Sequence, residues 1–170
     1  MLQTVINIVK HSLFKYNLIS KKTYLLLLLG TSFNFKINPV FAQTDNDIAI
    51  DRDSIAQPLT IKGTSGGAIA ASEIAQTEKT STGYCDGFIQ PQPNHILKLD
   101  NFFEYLRLEV ESNADTTIVV RGLGEIWCND DAGSVNPVIE GQWQSGVYKV
   151  WVGSYKENVN YDYNIKITGQ

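Results

Sequence analysis

Leu106-Arg107-Leu108-Glu109-Val110-Glu111 alternates aliphatic and charged side chains without a break. Successive side chains of a β-strand point to opposite faces, so a period of two sets the aliphatic residues toward a core and the charged ones toward water. The same logic marks strands around Leu97 and Leu99, around Ile118 and Val120, through Tyr148, Val150 and Val152, and through Tyr163, Ile165 and Ile167. Turn-forming residues separate them: Pro91 and Pro93, Ser112 to Asp115, Asn129 to Gly133, Gly141, Ser145-Gly146, and Asn158 to Asn160. Such residues punctuate strands through positive φ, fixed φ or side-chain-to-backbone bonds. No segment after Ala42 sustains a helical period. Several short strands, each with one apolar face, are best buried as two packed sheets, so the expected fold is all-β, a single β-sandwich of jelly-roll type.

Upstream, Lys10, Lys15, Lys21 and Lys22 form a basic leader without an acid, ahead of the apolar run Tyr24 to Leu29 and of Val40-Phe41-Ala42. That order is a secretory signal, with cleavage expected after Ala42. A membrane anchor is the rival reading, but Asn34 and Lys36 interrupt the apolar stretch short of the roughly 20 residues a bilayer requires. Three segments result: a signal peptide over 1–42, a polar linker over 43–64, and the β-sandwich domain over 65–170. The linker is rich in Asp, Gln, Thr and Ser, with Ile48 to Ile50 able to pair with a sheet edge.

Removing Lys10, Lys15, Lys21, Lys22 and Lys36 from 14 basic residues leaves nine against 18 acids, a net charge near −9. An acidic surface repels phosphate backbones and anionic headgroups, which disfavours nucleic acid and stable membrane insertion after signal cleavage. The two cysteines, Cys85 and Cys128, suit a disulfide in an oxidising compartment, the alternative being two separately buried thiols. A bridge closing so long a loop contributes about 4 kcal/mol on chain-entropy grounds.

Gly66-Gly67, Cys85-Asp86-Gly87-Phe88-Ile89, Pro93-Asn94-His95, Ser112 to Asp115 with Thr116 and Thr117, Trp127-Cys128-Asn129-Asp130-Asp131 and Gly146 to Gly153 together carry a family likeness. From Gly66 to Thr168 the chain resembles the bacterial pre-peptidase C-terminal domain, a small β-sandwich often appended to secreted enzymes. The resemblance implies a non-catalytic module associated with secretion. In some members it binds extracellular polymers such as collagen or polysaccharide, and in a subset calcium. No protease domain is read ahead of the module in this sequence, a departure from the commonest arrangement that counts against a maturation role.

Other constellations have a functional and a plain reading. Gly63-Thr64-Ser65-Gly66-Gly67 resembles the glycine-flanked serine of trypsin-like proteases, but a serine nucleophile needs a base and an orienting carboxylate. After the leader, His95 is the remaining histidine, and it shares strand parity with Leu97 and Leu99, as a structural histidine would. Asp115 with Asn129, Asp130 and Asp131 offers hard oxygen ligands suited to calcium; the same residues also make ordinary Asx turns. Trp143, Trp151 and Tyr155 are candidates for binding, with Trp127 and Tyr161 adding to the aromatic load. Trp151 lies on the strand face opposite Tyr148, Val150 and Val152, so it is either exposed or covered by a second layer.

The expectation is an exported module, periplasmic or extracellular, acting by binding or as an accessory to exported proteins or polysaccharide. A structural or secretion-assisting domain without a discrete ligand is the alternative, and a small hydrolase a third.

Overall fold

A computed structural model describes residues 47–170; the expected signal peptide over 1–42 lies outside the described residues. The described chain is all-β, with strands β1 (Asp47–Ile50), β2 (Leu59–Thr64), β3 (Ile69–Ala70), β4 (Phe88–Ile89), β5 (His95–Leu99), β6 (Phe103–Glu111), β7 (Thr116–Gly122), β8 (Glu125–Asn129), β9 (Val138–Trp143), β10 (Gly146–Ser154) and β11 (Asp162–Gly169). One helical turn, α1 (Ala71–Ala75), follows β3 and ends at Gln76 in the left-handed region.

Two sheets result. The smaller runs β2-β11-β6-β9, all antiparallel. In the larger, β10 is central: β7 lies along one side and is followed outward by β8, while β5 and then β4 share the other side. β1 adds to β5 in parallel and β3 adds to β4. The strands read from two-residue alternation all form, and β6 shows why: Phe103, Leu106, Leu108 and Val110 are buried while Arg107 and Glu109 are not.

Between the sheets lies one continuous apolar core, with Leu97, Ile118, Tyr148 and Val150 from the larger sheet against Leu106, Leu108, Ile165 and Ile167 from the smaller. Packing is close enough to dictate residue type. A Cβ at Gly122 would come 2.3 Å from the Tyr148 ring, so the glycine is what lets that ring lie flat on β7.

The segment 43–64 is not a spacer from residue 47 onward. β1 pairs with β5 in the register Ile48↔Leu97 and Ile50↔Leu99, and β2 pairs with β11 from Leu59 to Thr64. The domain therefore begins before Ser65. Ile48 and Ile50 on β1 and Leu59 and Ile61 on β2 each present an apolar face to the core, which outweighs the polar residues around them.

Candidate functional site

On the seam of the sandwich two edge strands face each other, β8 of the larger sheet and β9 of the smaller, each paired on one side only among the described residues. A cleft of about 410 Å³ opens there, within the roughly 300–1,000 Å³ usual for small-ligand sites. Alternation places Trp127 on the inward face of β8, where it meets Trp143 of β9 and Tyr148 of β10. Trp127 and Trp143 lie 5.9 Å apart at 30°, and Trp143 and Tyr148 lie 4.9 Å apart at 59°. Trp143 and Tyr148 are buried, whereas Trp127 is half-buried and closes the fan at the cleft.

Gly141 keeps the cleft open. It shares strand parity with the inward-facing Ile139 and Trp143, its φ is 146°, and a Cβ placed on it would meet no atom within 4 Å. The mouth is shaped by the two-residue turn Leu123-Gly124 joining β7 to β8. Both residues have positive φ, 53° and 86°, as a tight primed hairpin turn requires. Leucine in that region costs about 1 kcal/mol, yet its side chain is 56% exposed. Its far end rests on Gly146, where a Cβ would lie 2.7 Å from Leu123 Cδ2.

The far wall comes from the loop after α1. Cys85 and Cys128 form a disulfide, which fixes that loop to β8 next to Trp127. Hydroxyls finish the attachment: the Cys128 N–H donates to Thr80 Oγ1 at 3.0 Å, and Thr82 Oγ1 donates to the Cys128 carbonyl at 2.8 Å. Ser81 and Thr82 thereby line the cleft. Beyond the cleft, on the outer face of β9, Glu140 accepts from the Tyr105 hydroxyl at 2.9 Å and from Arg107. Those bonds, Arg107 first, hold its carboxyl below the usual carboxylate range.

The other expected residues fall elsewhere. Trp151 is buried on the outer face of β10 among Ala71, Ala75, Cys85 and Cys128, covered by α1 and the disulfide loop, so it offers no binding surface. Trp143 likewise is not an exposed contact; it backs Trp127 from within the core. Tyr155 is 59% exposed but stands apart from the seam cleft.

Ser65 is buried, and its hydroxyl bonds Ser154 at 2.8 Å and accepts the Tyr161 N–H at 3.2 Å. His95 Nε2 bonds the Tyr163 hydroxyl at 2.8 Å. Burial pushes the imidazole pKa down and the Tyr163 pKa up. Serine and histidine thus have separate structural partners.

Asn129 is buried and its amide has structural partners: Nδ2 donates to the Thr82 carbonyl at 2.8 Å, and Oδ1 accepts from the Val138 N–H at 3.0 Å. Asp115 feels its neighbours, since partial burial and then the charges of Asp131 and Asp130 raise its carboxyl pKa. Among the described residues, no three His, Cys, Asp or Glu side chains gather as a metal-holding group. Also among the described residues, no helix is long and apolar enough to cross a membrane.

No family model matches the chain. A stretch of 66 residues is 29% identical to an uncharacterized protein of Synechococcus elongatus, covering 39% of this chain and 48% of that protein. The match thus spans about half the length of that relative.

Proposed function

We propose that the chain is an exported, non-catalytic binding module, periplasmic or extracellular, of the kind the resemblance to pre-peptidase C-terminal domains implies. The observation that carries this reading is the seam cleft, where a half-buried tryptophan backed by two aromatic rings is walled by a disulfide-anchored loop. Disulfides persist in oxidising compartments, which supports export. A jelly-roll assignment draws support from strand order. Numbering the longer strands β2 and β5–β11 from one to eight, one sheet runs 1-8-3-6 and the other 2-7-4-5, the order made by two Greek keys.

Calcium is part of the proposal at the loops of Asp115, Asn129, Asp130 and Asp131, where the Asn129 amide already bonds Thr82 and Val138 and the three aspartates carry the charge. The binding reading is tested by exposing wild type and Trp127→Ala to immobilised extracellular polymers and to exported proteins of the same cell. Retention of wild type and release of the variant, with N-terminal sequencing placing the mature start near Gln43, is the expected result. Equal behaviour of both proteins on every surface would leave the structural alternative.

A further inference from the structure

Resting on the reading of the chain as a binding module, we infer that the seam cleft between β8 and β9 is a subsite for a neutral sugar ring, with Trp127 as its stacking platform. Sugar rings present an apolar C–H face and a rim of hydroxyls. A site for them needs one open aromatic plane and polar groups around its edge. Trp127, half-buried and lining the cleft, is the ring placed to supply the plane. Trp143 and Tyr148, buried behind it at 5.9 and 6.2 Å between ring centroids, fix its tilt. A large side chain held by two others loses little freedom on binding, which favours its use as an anchor.

The edge groups match hydroxyls. Glu125 lies on the same strand face as Trp127, two residues away, and Gln144 follows Trp143 at the end of β9, beside the cleft. Carboxylates accept hydroxyl protons, and carboxamides both donate and accept. Ser81 and Thr82 add hydroxyls on the disulfide wall. Among the described residues, no lysine, arginine or histidine lines the cleft; Glu125 is the carboxylate on its inward face, whereas Glu140 is turned to the outer face and bridged by Arg107. This sign of charge opposes uronates, sulfated sugars and phosphates, and selects sugars without an anionic group.

Two rival occupants fit less well. A peptide strand adding to the edge of β8 would need the outward N–H and carbonyl of Cys128, and Thr80 and Thr82 already occupy both. A cationic side chain is best held by several open ring faces around it. Here Trp143 and Tyr148 are 5% and 1% exposed, so of the three rings Trp127 alone is half-exposed. Leu123, pinned at the mouth over Gly146, supplies an apolar lip for the ring's C–H face.

The test is tryptophan-fluorescence titration of the purified protein with neutral gluco-oligosaccharides and N-acetylglucosamine oligomers, beside polyuronate, dextran sulfate and a lysine-rich peptide. Saturable change with a neutral oligomer and none with the anionic polymers is expected. Trp127→Ala should weaken that affinity roughly tenfold or more, read by calorimetry because the reporter is altered, with the native disulfide and circular dichroism confirming the fold. Glu125→Gln should weaken it less. No saturable response to any neutral oligomer at millimolar concentration, preferential binding of polyuronate, or sugar binding unchanged in Trp127→Ala would overturn the inference. Trp127-dependent capture of the peptide or of an exported protein without sugar binding would also sink it, leaving the binding-module reading intact. Loss of every Trp127-dependent interaction would remove both.

Discussion

The two sheets differ on the faces they turn away from each other. On the smaller sheet the outer face carries Lys62, Arg107, Glu109, Glu140 and Lys166, exposed or half-buried, with Arg107 bridging Glu109 and Glu140. On the larger sheet the outer face carries Val119, Cys128 and Trp151, and all three are buried under α1 and the disulfide loop. Arg121 of β7 ties that roof down by donating to the carbonyl of Ile74. A sheet with one wet face reads as clean alternation, whereas a sheet covered on both faces reads as a continuous apolar run. β6 is the first kind; β7, buried from Thr116 to Val120, and β10, buried from Val150 to Ser154, are the second.

The covered face is the one secured covalently, so the sharpest way to break the comparison is to cut the bridge. Replacing Cys85 and Cys128 together by serine should lower unfolding free energy by about 4 kcal/mol, given a sequence separation of 43. Urea denaturation measures it. A loss under about 1 kcal/mol would mean that roof contacts alone hold the covered face.

Next comes the shared core. Leu108→Ala, on the buried face of β6, should cost about 3 kcal/mol, while its neighbour Arg107→Ala, on the open face, should cost about 1 kcal/mol or less because its ion pairs are largely in water. Similar losses at both positions would contradict the one-sided reading of that sheet.

A smaller effect follows from His95, whose folded-state pKa is depressed by burial. A histidine harder to protonate when folded leaves the unfolded chain holding more protons as pH falls. Stability from neutral His95 is therefore present above its ordinary value near 6.5 and declines as pH drops through and below it. The urea midpoint should fall between pH 7 and 5 in wild type, and less steeply in His95→Gln. Parallel slopes would assign the pH dependence to carboxylates elsewhere.

The smallest expected effect is at Asp115, whose pKa is raised by partial burial and by Asp131 and Asp130. A raised carboxylate favours the folded state fully below its ordinary value and less as pH climbs through the folded one, so at neutral pH the charge is a burden. Asp115→Asn should raise the thermal midpoint slightly in chelator. Calcium should raise it in wild type and do less in the variant. Identical wild-type midpoints in millimolar calcium and in chelator would leave turn chemistry as the role of these residues.

How much the sequence disclosed tracks the same division. The strands β5, β6, β7, β10 and β11 were legible because an aliphatic residue at every second position admits one geometry. β8 and β9 were not. In Glu125 to Asn129 and Val138 to Trp143 the alternation is broken by glycine and by large aromatics, which read equally well as ligand contacts or core. The seam they form holds the cleft, so Trp127 was visible only as part of an aromatic surplus. The polar composition of 47–64 likewise hid two strands, since four apolar residues at alternate positions suffice to hold an edge.

From residues alone came the class of the fold, the pairing of Cys85 with Cys128 as the favoured outcome and the two possible fates of Trp151. Alternation fixes which way a side chain points from its own strand, and cysteine count and compartment limit the chemistry of sulfur. What the opposite face of a strand meets depends on chain far away in sequence, and only the tertiary structure decided it. It laid α1 and the disulfide loop over Trp151, engaged both ends of the Asn129 amide, and brought β8 beside β9, so that of three neighbouring aromatic rings one was left half-exposed at the cleft.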